Sequence, residues 1–83
     1  MSRWSQHTVE AFILDYLSTE SGRRDLTNTT DFVAESVLDS FGIINLIMDL
    51  ECEFVIKFQV SDLADPAART VHGLAHLVVR NLA

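Results

Sequence analysis

Between Val37 and Phe54 one stretch carries more apolar surface than a small helical domain can bury, and the remaining segments have to be arranged around it. It reads Val-Leu-Asp-Ser-Phe-Gly-Ile-Ile-Asn-Leu-Ile-Met-Asp-Leu-Glu-Cys-Glu-Phe. At about 100° per residue, a helix gathers Ile43, Leu46, Ile47, Leu50 and Phe54 on one face, wide enough to line a core. Phe41, Ile44 and Met48, with Cys52 behind them, form a second stripe roughly 150° away. The second stripe is therefore expected to face solvent or a partner, with Asp39, Asp49 and Glu51 at its edge. The competing reading is that the loop before the helix folds over it. Asp39 and Ser40 are both good N-cap types, so a helix starts here and holds the Ser40 hydroxyl at its positive end.

The other segments read as helices joined by one long connection. Ser5 suits an N-cap, and Val9, Phe12, Ile13, Tyr16 and Leu17 fall at i, i+3, i+4, i+7 and i+8, which predicts a first helix ending near Thr19. Glu10 and Asp15 fall on its expected solvent face. Residues 1–4 read as a short tail, with Trp4 folding back onto the bundle. Residues 20–38 hold turn signals and the apolar residues Leu26, Phe32, Val33, Val37 and Leu38, a loop pinned to the core with Phe32 as its main anchor. After Phe54 the pattern Val55, Ile56, Phe58, Val60 suits a strand, but a single strand has no partner. A connector plugged by Phe58 and Val60 is expected instead, leading to a short helix near 61–64. Asp65-Pro66 breaks the chain. A last helix over 70–81 buries Val71, Leu74, Leu77 and Val78, with Gly73 weakening it slightly. The expected fold is all-α: a single domain over 1–83 forming a four-helix bundle of three longer helices and one short helix, with a long first loop.

Composition narrows the function. Residues 31–65 contain eight acids (Asp31, Glu35, Asp39, Asp49, Glu51, Glu53, Asp62, Asp65) against Lys57 alone, within a chain of net charge −6. That field disfavours nucleic acid and would steer basic partner surfaces towards Ser40. No apolar run approaches a membrane span, and the first residues lack a signal-peptide pattern, so a cytoplasmic protein is expected. The single cysteine, Cys52, reads as a partly buried bystander. His72 and His76 stand four apart, a chelating spacing, but nothing nearby supplies further ligands. Leu38 stands where G-x-S-x-G needs its first glycine, and no glycine-rich phosphate loop exists. The chain has no self-contained active site and is not expected to be an enzyme.

Asp39-Ser40-Phe41, preceded by Val37-Leu38 and followed by a helix with Leu46, Met48, Leu50, Glu51 and Phe54, resembles the phosphopantetheine attachment segment of acyl carrier and peptidyl carrier proteins. The resemblance runs over nearly the whole chain. It implies a bundle of acyl-carrier type in which Ser40, beside Asp39, is the attachment point for 4'-phosphopantetheine, whose thiol carries an acyl or aminoacyl group as a thioester. A monomer is expected, with the exposed stripe and its rim as a partner surface at Phe41, Ile44, Asn45, Met48, Asp49 and Glu51. The partners implied are a phosphopantetheinyl transferase using magnesium and coenzyme A, an adenylating enzyme or acyltransferase that loads the arm, and downstream condensing, modifying or releasing enzymes. Asn45 and Cys52 stand where fatty-acid carriers usually have acids, and Gly42 where a polar residue is common. The segment thus looks closer to stand-alone D-alanyl carriers or those of specialised metabolism. The alternative is an unmodified helical module for protein–protein interaction.

Overall fold

The computed structural model describes residues 4–82. Four α-helices follow in chain order: α1 (Gln6–Ser21), α2 (Ser40–Phe54), α3 (Val60–Ala64) and α4 (Val71–Arg80), with a 3-10 turn at Pro66–Arg69 between the last two. The described residues contain no strand; a lone antiparallel bridge pairs Asp31 with Thr70. The expected all-α bundle of three longer helices and one short one is present. Of the tail 1–4, only Trp4 lies within the described residues.

Each helix starts where side chain and backbone chemistry favour it. The Ser5 hydroxyl accepts the Thr8 amide at 3.1 Å and opens α1. The helix runs two residues beyond Thr19 and closes on Gly22, whose φ of 76° supplies the left-handed turn. Asp39 caps α2 and Thr70 caps α4 through the Gly73 amide. Val55 ends α2 at φ 53°, a left-handed conformation that costs a β-branched residue about 1–2 kcal/mol. The structure accepts that cost because the turn delivers Ile56 and Phe58 into the core.

Val9, Ile13 and Leu17 of α1, Leu46, Leu50 and Phe54 of α2, and Val71, Leu74, Leu77 and Val78 of α4 form the core. The rings of Trp4 and Phe12 meet Phe54 edge-on at 5.1 and 5.3 Å, so Trp4 does fold back. Phe32 is 1 % exposed and anchors the loop, with Val37 buried beside it, Leu26 and Leu38 half-buried, and Val33 left at the surface. The Phe32 amide donates to the Arg69 carbonyl at 2.9 Å, and the His72 amide donates to the Asn28 carbonyl at 2.8 Å. These two bonds stitch the loop to the start of α4.

Five expectations are corrected. Val60 is exposed rather than a core plug, because it sits at the first position of α3, turned outward. Cys52 is exposed, since Leu46, Leu50 and Phe54 fill the inward face. Glu10 is 5 % exposed and belongs to the interior, next to Val9. Gly73 is a packing requirement rather than a weak point: a Cβ there would lie 2.0 Å from the Ala67 carbonyl oxygen. Asp62 is not part of an outward acidic field. It is buried at the third position of α3, where it accepts the Gln59 amide at 2.9 Å and Asn81 Nδ2 at 3.0 Å and pairs with Arg80. The Gln59 amide, then Asn81 and Arg80, hold its carboxyl below the ordinary range.

Candidate functional site

The start of α2 sets the geometry around Ser40. The Asp39 side chain accepts the Gly42 amide at 2.7 Å, and the Asp39 carbonyl accepts the Ile43 amide at 3.0 Å. Asp39 is therefore the cap, and Ser40 is the first helical residue. Its hydroxyl is not used as a cap, and the residue is exposed. The amides of the first turn point out of the helix beside it, where an anion is favoured.

One turn further on, α2 forms the wall of an apolar cavity of about 340 Å³. Ile43, Ile44, Ile47 and Met48 face Phe32 and Val33 of the loop, Leu63 of α3, and Ala68 and Arg69 of the 3-10 turn. Arg69 is the only charged residue in this lining, and its Nε lies 3.6 Å from Asp31 Oδ2. On the helical wheel Ile43, Ile47, Ile44 and Met48 follow one another over about 140°, with Ile47 and Ile44 only about 60° apart, so one cavity can border all four. The loop approaches α2 without closing over it, and the gap between them is lined from both stripes.

The second stripe is exposed, as the wheel predicts: Phe41 72 %, Ile44 57 % and Met48 59 %. The loop does not cover it. Asp49 is exposed beside the stripe and Asn45 is half-buried. Glu51 is drawn away from that edge, because its Oε2 accepts the Phe58 amide at 2.9 Å and fixes the turn after α2. Much of the acidic stretch is likewise committed internally. Glu35 pairs with Arg23, Asp31 with Arg69 and Asp62 with Arg80, while Asp65 caps the 3-10 turn. Asp49 and Glu53 remain as its acids with no structural partner among the described residues.

The chain matches no family model, no curated protein and no solved structure. No group of three or more His, Cys, Asp or Glu among the described residues is arranged to hold a metal. No helix among them is long and apolar enough to cross a membrane.

A cluster that periodicity does not reveal joins α1, the loop and the start of α4. Glu10 Oε2 accepts Gln6 Nε2 at 2.8 Å and faces His72 Nδ1 at 2.7 Å, and Oε1 accepts Asn28 Nδ2 at 2.8 Å. The Gln6 bond, followed by the His72 bond and charge, holds the carboxyl below its ordinary value against the opposing effect of burial. The signal in sequence is slight: an acid directly beside Val9, at the edge of an apolar stripe.

Proposed function

We propose that this chain is an acyl or aminoacyl carrier of acyl-carrier fold, modified by 4'-phosphopantetheine at Ser40. The observation that carries the reading is an exposed serine at the first position of a helix, with its hydroxyl unused by the fold, one turn from an apolar cavity. Asp39 keeps the helix start fixed by capping it, leaving Ser40 Oγ available as a nucleophile. In the transfer from coenzyme A, Ser40 Oγ gives its proton to a base of the transferase and forms a P–O bond to the pantetheine-bearing phosphorus, while the bridging P–O bond of the pyrophosphate breaks and the nucleotide half leaves with the other phosphate. First-turn amides and the helix dipole favour the resulting anion at that place. When attached, the arm supplies a thiol that holds the cargo as a thioester. The cavity wall of Ile43, Ile44, Ile47 and Met48 suits an apolar cargo better than a charged one.

The deciding experiment is incubation with a broad-specificity phosphopantetheinyl transferase, magnesium and coenzyme A, followed by intact mass. One adduct is expected on the parent chain and none on Ser40→Ala, whose circular dichroism should match the parent because the cap is Asp39. An adduct on Ser40→Ala, or none on the parent, would overturn the reading.

The exposed stripe gives a second prediction. Ile44→Arg and Met48→Glu remove no fully buried contact, so each should change stability by no more than about 0.5 kcal/mol, as surface substitutions do. Both should slow loading by the transferase several-fold, since an apolar centre with Asp49 at its edge suits transient docking. A large drop in the thermal midpoint of either variant would show that the stripe is structural.

A further inference from the structure

We infer that Glu10 is a positioning residue: with Asn28 and His72 it forms a latch that fixes the loop wall of the apolar cavity through the segment that joins them. Its carboxylate joins three elements, accepting Gln6 from α1 and Asn28 from the loop and facing the His72 ring on α4. Gln6 Nε2 also donates to the His72 carbonyl at 3.0 Å, and the His72 amide donates to the Asn28 carbonyl. Residues 28–32 thus run alongside 69–72, held by the His72–Asn28 bond at one end and the Phe32–Arg69 bond at the other. Glu10 bolts the first of these ends to α1. Phe32 and Val33, at the second end, are the loop's contribution to the cavity.

The latch needs a carboxylate. Oε2 meets two donors and Oε1 meets a third, so every nearby polar group donates towards Glu10; the His72 Nδ1 does so either as the neutral Nδ1–H tautomer or as imidazolium. An amide at position 10 would lose the charge and, with its partners oriented as they are, would turn an NH2 group against at least one of these donors. The titratable groups facing Glu10 are His72 from α4 and His7 from its own helix, while the loop presents the neutral Asn28. Because the folded carboxyl titrates below its ordinary value, the latch is complete above the ordinary carboxylate range and is lost as pH falls through the folded value.

The importance of the cavity rests on the carrier reading, but the latch can be tested on the unmodified full chain, so a failure of Ser40 loading leaves the result untouched. Amide exchange by NMR, corrected for intrinsic rates, and binding of the neutral apolar dye N-phenyl-1-naphthylamine are the two readouts. In Glu10→Gln at neutral pH, the amides of Thr30, Phe32 and His72 should exchange at least about tenfold faster, with Leu46 and Leu50 unchanged. Dye affinity should fall about threefold or more, the cavity wall being less fixed. The parent should show a loop-selective change on acidification larger than any that Glu10→Gln shows over the same interval. Asn28→Ala, which keeps the buried carboxylate and removes only the loop's arm, should reproduce the selective effect if Glu10→Gln does not fold. Equal acceleration in loop and α2, or a freed loop with unchanged dye affinity, would overturn the inference.

Discussion

Replacing Gly73 by alanine is expected to destabilise the bundle even though alanine is the better helix former. On propensity alone the change should gain about 1 kcal/mol inside α4. The surroundings oppose it. A Cβ at this position would sit 2.0 Å from the Ala67 carbonyl oxygen, 2.7 Å from its carbon and 3.0 Å from the Ala67 Cα. All three are backbone atoms of the 3-10 turn and cannot swing away as a flexible side chain would. The turn is held by the Asp65 cap at its start and by the Thr70 amide on the Ala67 carbonyl at its end. Relief therefore requires moving the turn away from α4, with Ala68 and Arg69 of the cavity lining moving with it. Forcing a core apart in this way typically costs about 1–3 kcal/mol, enough to cancel the propensity gain and exceed it. Thermal melts would register a net loss of about 1 kcal/mol as a drop of about 4–8 °C in a domain this small. A midpoint equal to or above the parent's would show that the turn yields without cost.

What could be read in the sequence was whatever repeats with the period of a helix. The i, i+3, i+4 spacing from Val9 to Leu17 and from Val71 to Val78 marks the faces that the structure buries, and Asp39-Ser40 marks the start of α2. Features that depend on two distant segments left little trace. Glu10 looks like a surface acid until Asn28 and His72 are brought to it, and Gly73 looks like a weak helix residue until Ala67 is stacked against it. The acidic stretch is misleading for the same reason. Charge counts by position, whereas Asp62 and Glu51 spend their charge on the Gln59 and Phe58 amides. The 3-10 turn was open to reading, since Asp65 before Pro66 is a cap followed by a preset first residue. The cavity beside Ser40 was not, because loop, α3 and 3-10 turn converge on α2 only in three dimensions.

Phe32→Ala should cost more than any other single change considered for the loop. Its ring is 1 % exposed, and the loop that carries it lacks the repeating backbone bonds of a helix. Truncating a buried phenylalanine removes the transfer free energy of the ring and leaves a void, together about 3–5 kcal/mol. At roughly 0.05–0.15 kcal/mol per residue, a chain of this length has about 4–12 kcal/mol in total, so the variant would approach the unfolding threshold. Part of the loss depends on whether the loop collapses inward. The Phe32 amide is tied to Arg69 and its carbonyl accepts the Val37 amide at 3.0 Å, so the backbone cannot follow the missing ring and the void opens into the existing cavity. Phe41→Ala provides the internal control. The same side chain at 72 % exposure should cost no more than about 0.5 kcal/mol when removed. Urea titrations of both variants, with slopes equal to the parent's, give the two values directly. If Phe32→Ala loses less than about 1 kcal/mol, the loop is pinned by something other than its buried ring.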